Sequence, residues 1–353
     1  MKRGLVLFDP GEIRPDEFAA RVSRLQRRLV ADGIAAALVY GDVYRSGDIS
    51  YLTNVCIYWN EGTVFVPASG EPALLSKLSS RVHPWMKSIS TLKDTRAGNN
   101  IADLLVKTLA DSRPGVCGLV EMEWWPAPLV DEIRAKLSGW EVRDLGPIIR
   151  SERQRPSAAE LTLLRESAAV SARAVKSGSE NALSNPQRAG RAELTARLAG
   201  VEDVYVFCDQ CSSGADTLEV FSEYRGYWTT AARVLAKGSL AWARAFGRAY
   251  QAAESTLASG VSVGQLRDAV DRAMAGESLR WRVDLIDHTD LETRGDYRRP
   301  ADAQAPVSAG AVAGLRLELT LEEGGRAVAA DTFQITERGA ERLTRDLPTV
   351  AVQ

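Results

Sequence analysis

Histidine and cysteine are scarce in this sequence, which has two histidines and four cysteines among 353 residues. So few cysteines fit a reducing compartment, where they would remain thiols. No apolar run approaches the length that spans a bilayer, and the short stretch Gly4–Phe8 after two basic residues cannot form a signal-peptide core. A formal net charge of −2 gives no electrostatic reason to expect nucleic acid or a membrane as a partner. We therefore expect a cytoplasmic protein that binds neither.

The composition is ordinary for a globular protein, with 45% hydrophobic and 25% charged residues. A chain of this length suggests two domains. We place the boundary within 151–156, because Ser-Glu-Arg-Gln-Arg-Pro is charged, poor in apolar residues and ends in proline. The predicted domains are 1–153 and 154–353.

The first domain alternates helical and strand patterns. Apolar residues at helical spacing follow Pro15 and stop at Gly33. Further helical stretches are predicted at about 100–111 and 127–137. The strand-like segments are 35–40, 63–66, 72–75, 116–120 and 141–144. This alternation predicts an α/β layer in which helices cover a sheet.

The second domain begins with a helix signal. Ser157 and Glu160 form a capping box, in which each side chain satisfies the other's exposed backbone amide, and apolar residues at helical spacing follow. Two further helices are predicted at about 239–259 and 263–275. The strand 282–286 then leads to His288.

Residues 219–230 are the most informative segment. Glu219 and Thr230 lie eleven positions apart, and Gly226-Tyr227 lies three residues before the end. The segment resembles a strand pair of the creatinase, prolidase and aminopeptidase P family, in which aspartates stand at both ends and bind metal. Here a glutamate opens the segment and a threonine closes it.

The resemblance continues through the other three ligand positions of that family. His288 falls where the family has a histidine among glycines, although no glycine flanks it here. Glu318 falls in the position of the next glutamate ligand. The last ligand position, just before Asp331-Thr332, carries Ala330.

The resemblance covers most of the chain and implies an α/β (α+β) fold. It implies an N-terminal creatinase-like α/β domain, followed by a pita-bread domain with a curved, mostly antiparallel sheet covered by helices. It also implies a homodimer.

The two replaced ligands argue against a two-metal site. Two divalent ions about 3.5–4 Å apart need bridging carboxylates, which Thr230 and Ala330 cannot supply. We therefore expect no metal cofactor. The alternative left open is a single zinc or manganese ion held by Glu219, His288 and Glu318.

Creatinase is the useful analogue, because the resemblance implies that this fold can hydrolyse a C–N bond without metal. We expect a metal-independent hydrolase or lyase acting on a small amide, guanidino or amino-acid-derived substrate. His288 would be the general acid and base, since an imidazole ordinarily titrates near neutral pH. Glu219 and Glu318 would orient a cationic substrate or relay protons.

Two other functions stay open. The first is a single-metal hydrolase of the same family. The second is a non-catalytic binding or dimerisation scaffold, which the absence of glycine around His288 favours, because loops that approach a substrate closely usually need glycine.

Three further residues are candidate substrate contacts. Tyr227 could donate a hydrogen bond, and Tyr224 could lie beside it, although strands favour aromatic residues whatever their function. Glu292 follows His288 and is as well explained by a solvated charge.

The remaining histidine and one cysteine pair have weaker signals. Cys208 and Cys211 form a lone C-x-x-C, better explained by two ordinary thiols than by half a zinc site. His83 is best explained as a surface or interface residue, although in dimeric relatives the N-terminal domain can edge the partner's pocket.

Overall fold

The protein is described from a computed structural model that covers most of the chain as two compact units, Met1–Arg153 and Gln154–Gln353. The described residues are 7–57, 60–180, 183–211, 214–238, 240–277, 279–290, 304–321, 325–345 and 347–352. Within these ranges no helix is both long enough and apolar enough to cross a membrane.

The first unit is a six-stranded sheet between helices. Its strands are β1 (Ala36–Asp42), β2 (Glu61–Pro67), β3 (Ala73–Ser76), β4 (Asp94–Ala97), β5 (Val116–Leu119) and β6 (Glu141–Asp144). Its helices are α1 (Pro15–Ala31), α2 (Gly47–Thr53), α3 (His83–Ser88), α4 (Ile101–Leu109), α5 (Ala127–Lys136) and α6 (Ile148–Arg153). In the described residues the strand order is β4-β3-β2-β1-β5-β6.

Strand β1 shows why both faces of this sheet are buried. Ala37 and Val39 pack with Leu25 and Leu29 of α1 on one face. Their neighbours Ala36 and Leu38 pack with α4 and α5 on the other. Because side chains alternate along a strand, a continuous apolar run such as 36–39 needs helices on both sides of the sheet. The predicted α/β layer is confirmed.

The second unit is built on an antiparallel sheet covered by helices. Its helices are α7 (Ala158–Gly178), α8 (Asn185–Leu198), α9 (Ala241–Thr256) and α10 (Val263–Ala273). Its strands are β7 (Asp203–Cys211), β8 (Ala215–Tyr224), β9 (Tyr227–Ala236), β10 (Arg280–Asp287), β11 (Val312–Thr320), β12 (Arg326–Thr336), β13 (Gly339–Arg342) and β14 (Val350–Val352). Among the described residues the main order is β10-β11-β12-β9-β8-β7. Strand β13 pairs with β12, and β14 pairs in parallel with β9.

The helix signal at the start of this unit is confirmed. The Ser157 hydroxyl accepts a hydrogen bond from Glu160 N, and the Glu160 carboxylate accepts one from Ser157 N. Helix α7 then packs its buried face against β8 and β9.

Strands β9 and β12 meet at a seam that side chains hold together. The backbone ladder between them has one residue pair, Ala330 with Ala232. The Thr332 hydroxyl accepts from Thr230 N at 2.9 Å and donates to Thr230 O at 3.0 Å. Arg233 Nη1 donates to Ala330 O at 2.8 Å. Side chains thus supply bonds that backbone groups supply in a regular ladder.

A buried ion pair fixes the helix-covered side of this seam. Arg233 Nη2 lies 2.6 Å from Asp331 Oδ1, and both side chains are almost fully buried. The Tyr250 hydroxyl of α9 donates to Asp331 Oδ2 at 2.9 Å. Losing one partner would leave a buried charge uncompensated, so the pair holds these strands in one arrangement.

Candidate functional site

One face of the second sheet collects the positions predicted from the sequence, and we call it the site face. Glu219 of β8 pairs with Ala232 of β9, Ala232 pairs with Ala330 of β12, and Ala330 pairs with Arg316 of β11. Directly paired residues project to the same face of a sheet. The register therefore places Arg316, rather than Glu318, opposite Ala330, and Glu318 lies opposite Val328.

Arg316 joins the two predicted carboxylates. Its Nε donates to Glu219 Oε1 at 2.8 Å and its Nη2 to Glu219 Oε2 at 3.3 Å. Its Nη1 donates to Glu318 Oε2 at 2.6 Å. Arg316 and Glu219 are both only 4% exposed. The structure thus brings Glu219 and Glu318 together, with a guanidinium between them.

The reach of this contact reveals the shape of the site face. Arg316 and Glu219 stand three strand spacings apart, about 14 Å in a flat sheet. Their side chains meet over Ala232 and Ala330, whose methyl groups leave room, so the sheet curves towards this face. The predicted pita-bread architecture, with its antiparallel sheet, is confirmed.

The ion pairs extend outward into an alternating series of charges. Arg326 lies 3.7 Å from Glu318 and also pairs with Asp209. Burial alone would raise the pKa of Glu318, but Arg316 and Arg326 bring it below its usual value. Burial opposes the charge on Arg316, yet Glu219 and Glu318 raise its pKa further. At neutral pH Arg316 and Glu318 are therefore both charged.

The donor set does not fit a metal centre. A divalent ion between Glu219 and Glu318 would have to displace the Arg316 guanidinium, and Thr230 and Ala330 offer no carboxylate. Among the described residues, no group of three or more histidine, cysteine, aspartate or glutamate side chains is arranged to hold a metal ion. The single-ion alternative meets the same obstacle as the two-ion site.

His288 is oriented by the backbone of β11. It opens a short 3-10 turn directly after β10, and its side chain is buried. Its Nδ1 lies 3.0 Å from the carbonyl oxygen of Val312. A carbonyl only accepts, so Nδ1 carries the proton and the lone pair of the neutral ring lies on Nε2. Asp287 Oδ1 lies 3.6 Å from Nδ1 and accepts from Thr289 N, which fixes the turn.

His288 stands apart from the arginine cluster. Its anchor Val312 and Arg316 are four residues apart on β11, about 13 Å along the strand. Between them lies Gly314, and the methyl group of Thr230 packs directly over it. The structure therefore puts the His288 turn at one end of the site face and the ion-paired carboxylates at the other.

Trp228 builds the aromatic wall beside Thr230. Its ring stacks on Tyr205, with centroids 5.2 Å apart and an interplanar angle of 8°. It also packs with Phe221 and with Ile286 of β10. Trp228 is 1% exposed.

The two predicted tyrosine contacts lie elsewhere, which corrects the sequence expectation. The Tyr227 hydroxyl donates to Glu160 at the start of α7, at 3.1 Å. Tyr224 packs with the cluster under α7 and α8. Since side chains alternate along β9, the site face receives Trp228 where Tyr227 was expected. Glu292 lies outside the described residues.

The remaining sequence candidates are Cys208 and His83. Burial, with a contribution from Asp216, raises the pKa of Cys208 to about 11, so its thiol is protonated at neutral pH. Burial and Lys87 lower the pKa of His83 in the first unit.

Sequence reasoning missed Arg316 and Trp228. Arg316 and Glu318 are two residues apart on β11 and share a face. The alternation of side chains therefore cannot say which of them lies opposite Ala330. The signal that decides is the pairing register of β11 with β12.

Comparison with known proteins identifies the first unit. Residues 21–155 match the family model of the Creatinase/Prolidase N-terminal domain. The chain carries a creatinase/prolidase N-terminal domain. No curated protein matches the chain in sequence.

Beyond that domain, solved structures show that the creatinase/prolidase fold extends along the chain. The X-Pro aminopeptidase from Thermotoga maritima is 16% identical with a TM-score of 0.79, over 94% of this chain and 99% of that one. The Xaa-Pro dipeptidase from Bacillus anthracis is 14% identical with a TM-score of 0.78, over 95% and 100%. The dipeptidase PepE from Mycobacterium ulcerans is 18% identical with a TM-score of 0.72, over 96% and 98%. The expected creatinase, prolidase and aminopeptidase P fold is confirmed.

Proposed function

We propose that this protein is a metal-independent hydrolase of the pita-bread fold that cleaves a C–N bond in a small amide or amino-acid-derived substrate. The observation that carries the proposal is the buried guanidinium of Arg316 between Glu219 and Glu318. The similar structures are named as aminopeptidases and dipeptidases, which supports hydrolysis as the class of reaction.

Arg316 changes the kind of substrate that the carboxylates favour. Glu219 and Glu318 already have a cation between them, so they offer a guanidino or ammonium substrate little net attraction. Three of the five N–H groups of Arg316 donate to these carboxylates. Within the described part of the chain, no acceptor uses the other two N–H groups of Arg316, so they can bind a substrate oxygen. This favours a substrate with a carbonyl or a carboxylate.

His288 supplies the acid and base in this proposal. Its Nε2 lone pair would take a proton from water as the water oxygen attacks the amide carbon. The same proton would pass to the nitrogen as the C–N bond breaks, so the ring ends as it began. The bond from Nδ1 to Val312 O would hold the ring during both transfers.

An assay of amide hydrolysis tests this function. It compares chelator-treated protein with its His288→Asn variant on dipeptides, N-acyl amino acids and guanidino acids. We expect turnover of an amide that survives chelation and falls by at least about 10²-fold in the variant. Turnover lost on chelation and restored by zinc or manganese would favour the single-metal hydrolase instead.

A binding scaffold is the second candidate. It is favoured by the paired charges around Arg316 and by Asp287 and Thr289 standing where glycines would let a substrate approach. It predicts saturable ligand binding with no turnover in the same assays. The homodimer and the cytoplasmic location stay predictions from the sequence.

A further inference from the structure

Three neutral polar groups are buried together near His288. Trp228, Thr230 and Thr289 are 1%, 0% and 4% exposed. Within the described part of the chain, Trp228 Nε1, Thr230 Oγ1 and Thr289 Oγ1 have no hydrogen-bond partner. Burying a polar group without a partner is unfavourable, because its bonds to water are lost and not replaced, so such groups in one region call for an explanation.

The packing brings the side chains of Trp228 and Thr230 to one part of the site face, and it brings the turn that carries Thr289 against the strand that bears them. Trp228 and Thr230 are two residues apart on β9, so their side chains lie on the same face, and Trp228 packs with Ile286. A β carbon on Gly314 would lie 2.8 Å from the Thr230 methyl and 3.5 Å from Ile286 Cβ, so these two side chains flank the same point. Thr289 belongs to the turn that follows β10 and lies against β9.

We propose that Trp228 Nε1 and the hydroxyl groups of Thr230 and Thr289 bind an oxygen of the ligand, from a carbonyl or carboxylate, beside His288. An indole N–H only donates, so its partner must be an acceptor, and a threonine hydroxyl can donate to the same oxygen. None of the three groups carries a charge, and the buried carboxyl of Glu223, which pairs with Trp228 across the ladder, lies on the same face. A neutral amide carbonyl therefore fits them without a counter-ion. The place of this oxygen in the reaction rests on the proposed function.

Other tryptophans of the same chain provide internal controls. Trp125 Nε1 already donates to Val120 O at 2.9 Å. Trp242 Nε1 has no partner among the described residues, but it packs against the core under α9 and α10. If burial alone explains the Trp228 indole, it should respond to ligands as Trp242 does.

The indole N–H signals of the ¹⁵N-labelled full chain test the proposal, with Trp228→Phe identifying one peak. We expect acetamide, acetate or both to shift the Trp228 indole proton downfield and saturably, while Trp125 and Trp242 stay unchanged. Acetamide alone would identify a neutral carbonyl site, and acetate alone a carboxylate site. Methylammonium, which has no acceptor, should leave the peak in place.

Threonine variants make the test specific. Thr230→Val and Thr289→Val keep the shape and lose the hydroxyl, and each should weaken binding by about 3- to 10-fold. Thr230→Ser keeps the hydroxyl and should retain affinity. A Trp228 peak that neither probe moves, one that methylammonium moves equally, or valine variants with unchanged affinity would each overturn the proposal.

The two proposals can fail separately. If the indole responds as expected but no amide is turned over, the oxygen site stands and the hydrolase falls. If an amide is hydrolysed while neither valine variant changes KM or kcat, the hydrolase stands and the oxygen site falls.

Discussion

Arg316 is the residue that most separates this site face from a metal centre, and its burial makes it testable. Arg316→Ala would leave Glu219 buried without a counter-charge, and we expect a loss of about 3–5 kcal/mol in the free energy of unfolding. Arg316→Met combined with Glu219→Gln removes both charges and should stay closer to wild type. Denaturant titration of both variants checks this. A fully stable Arg316→Ala would show that the ion pair contributes little.

Glu202 gives the second unit a pH-dependent stability. Burial and the nearby Glu223 raise its pKa to about 7, although Arg225 N donates to it at 2.6 Å. A raised carboxyl pKa favours the folded state fully below pH 4.5, and this contribution is lost as the pH rises through 7. The change is up to about 3 kcal/mol.

We therefore expect Glu202→Gln to remove the fall in unfolding free energy between pH 4.5 and 7.5, measured by denaturant titration at several pH values. Glu341→Gln is the control, because Arg345 lowers the pKa of Glu341 and its effect lies in acid. If the unfolding free energy of Glu202→Gln still falls over this pH range, the pH dependence belongs to another group.

At this scale the sequence predicts only part of the site. The sequence directly shows the spacing of Glu219 and Thr230, and it shows that His288 is one of only two histidines. The structure places these three residues on or beside one face. Arg316 could not be predicted, because alternation along a strand tells which residues share a face but not what opposes them across the ladder.

At the scale of elements, the approach of β9 to β11 depends on one missing side chain. A β carbon on Gly314 would lie 2.8 Å from Thr230 Cγ2. We expect Gly314→Ala to destabilise the protein by about 1–3 kcal/mol through overpacking. Thr230→Ser removes the clashing methyl group and should recover most of that loss. Thermal unfolding of the single and double variants measures the coupling, and independent, additive effects would contradict this packing.

Six helices could be predicted because each carries a local signal, namely α1, α4, α5, α7, α9 and α10, whereas α2, α3, α6 and α8 were not predicted. The capping box at Ser157 and the apolar spacing behind Pro15 depend only on neighbouring residues. Strands β13 and β14 have four and three residues and show no periodicity of their own. Their positions depend on pairing with β12 and β9, which local patterns do not encode.

For the whole molecule, the arginine cluster predicts how folding depends on metal. Purified protein should contain far fewer than two equivalents of transition metal per chain, and chelation should leave its melting temperature unchanged. Elemental analysis and thermal scans with and without chelator check both statements. Two tightly bound ions would contradict the assignment of Thr230 and Ala330, and one would favour the single-metal alternative.

The seam between β9 and β12 also bears on how the second sheet moves. One ladder pair and the side chains of Thr332 and Arg233 join two groups of strands that are each internally continuous. Local opening should begin where backbone pairing is thinnest, so the two groups would separate as cooperative units before either unravels. Arg316 and Glu219 belong to different groups of strands, so their ion pair crosses the seam on the site face. The ion pair between Arg316 and Glu219 thus holds the two groups of strands together. A ligand that competes for Arg316 would lower the free energy needed to separate them.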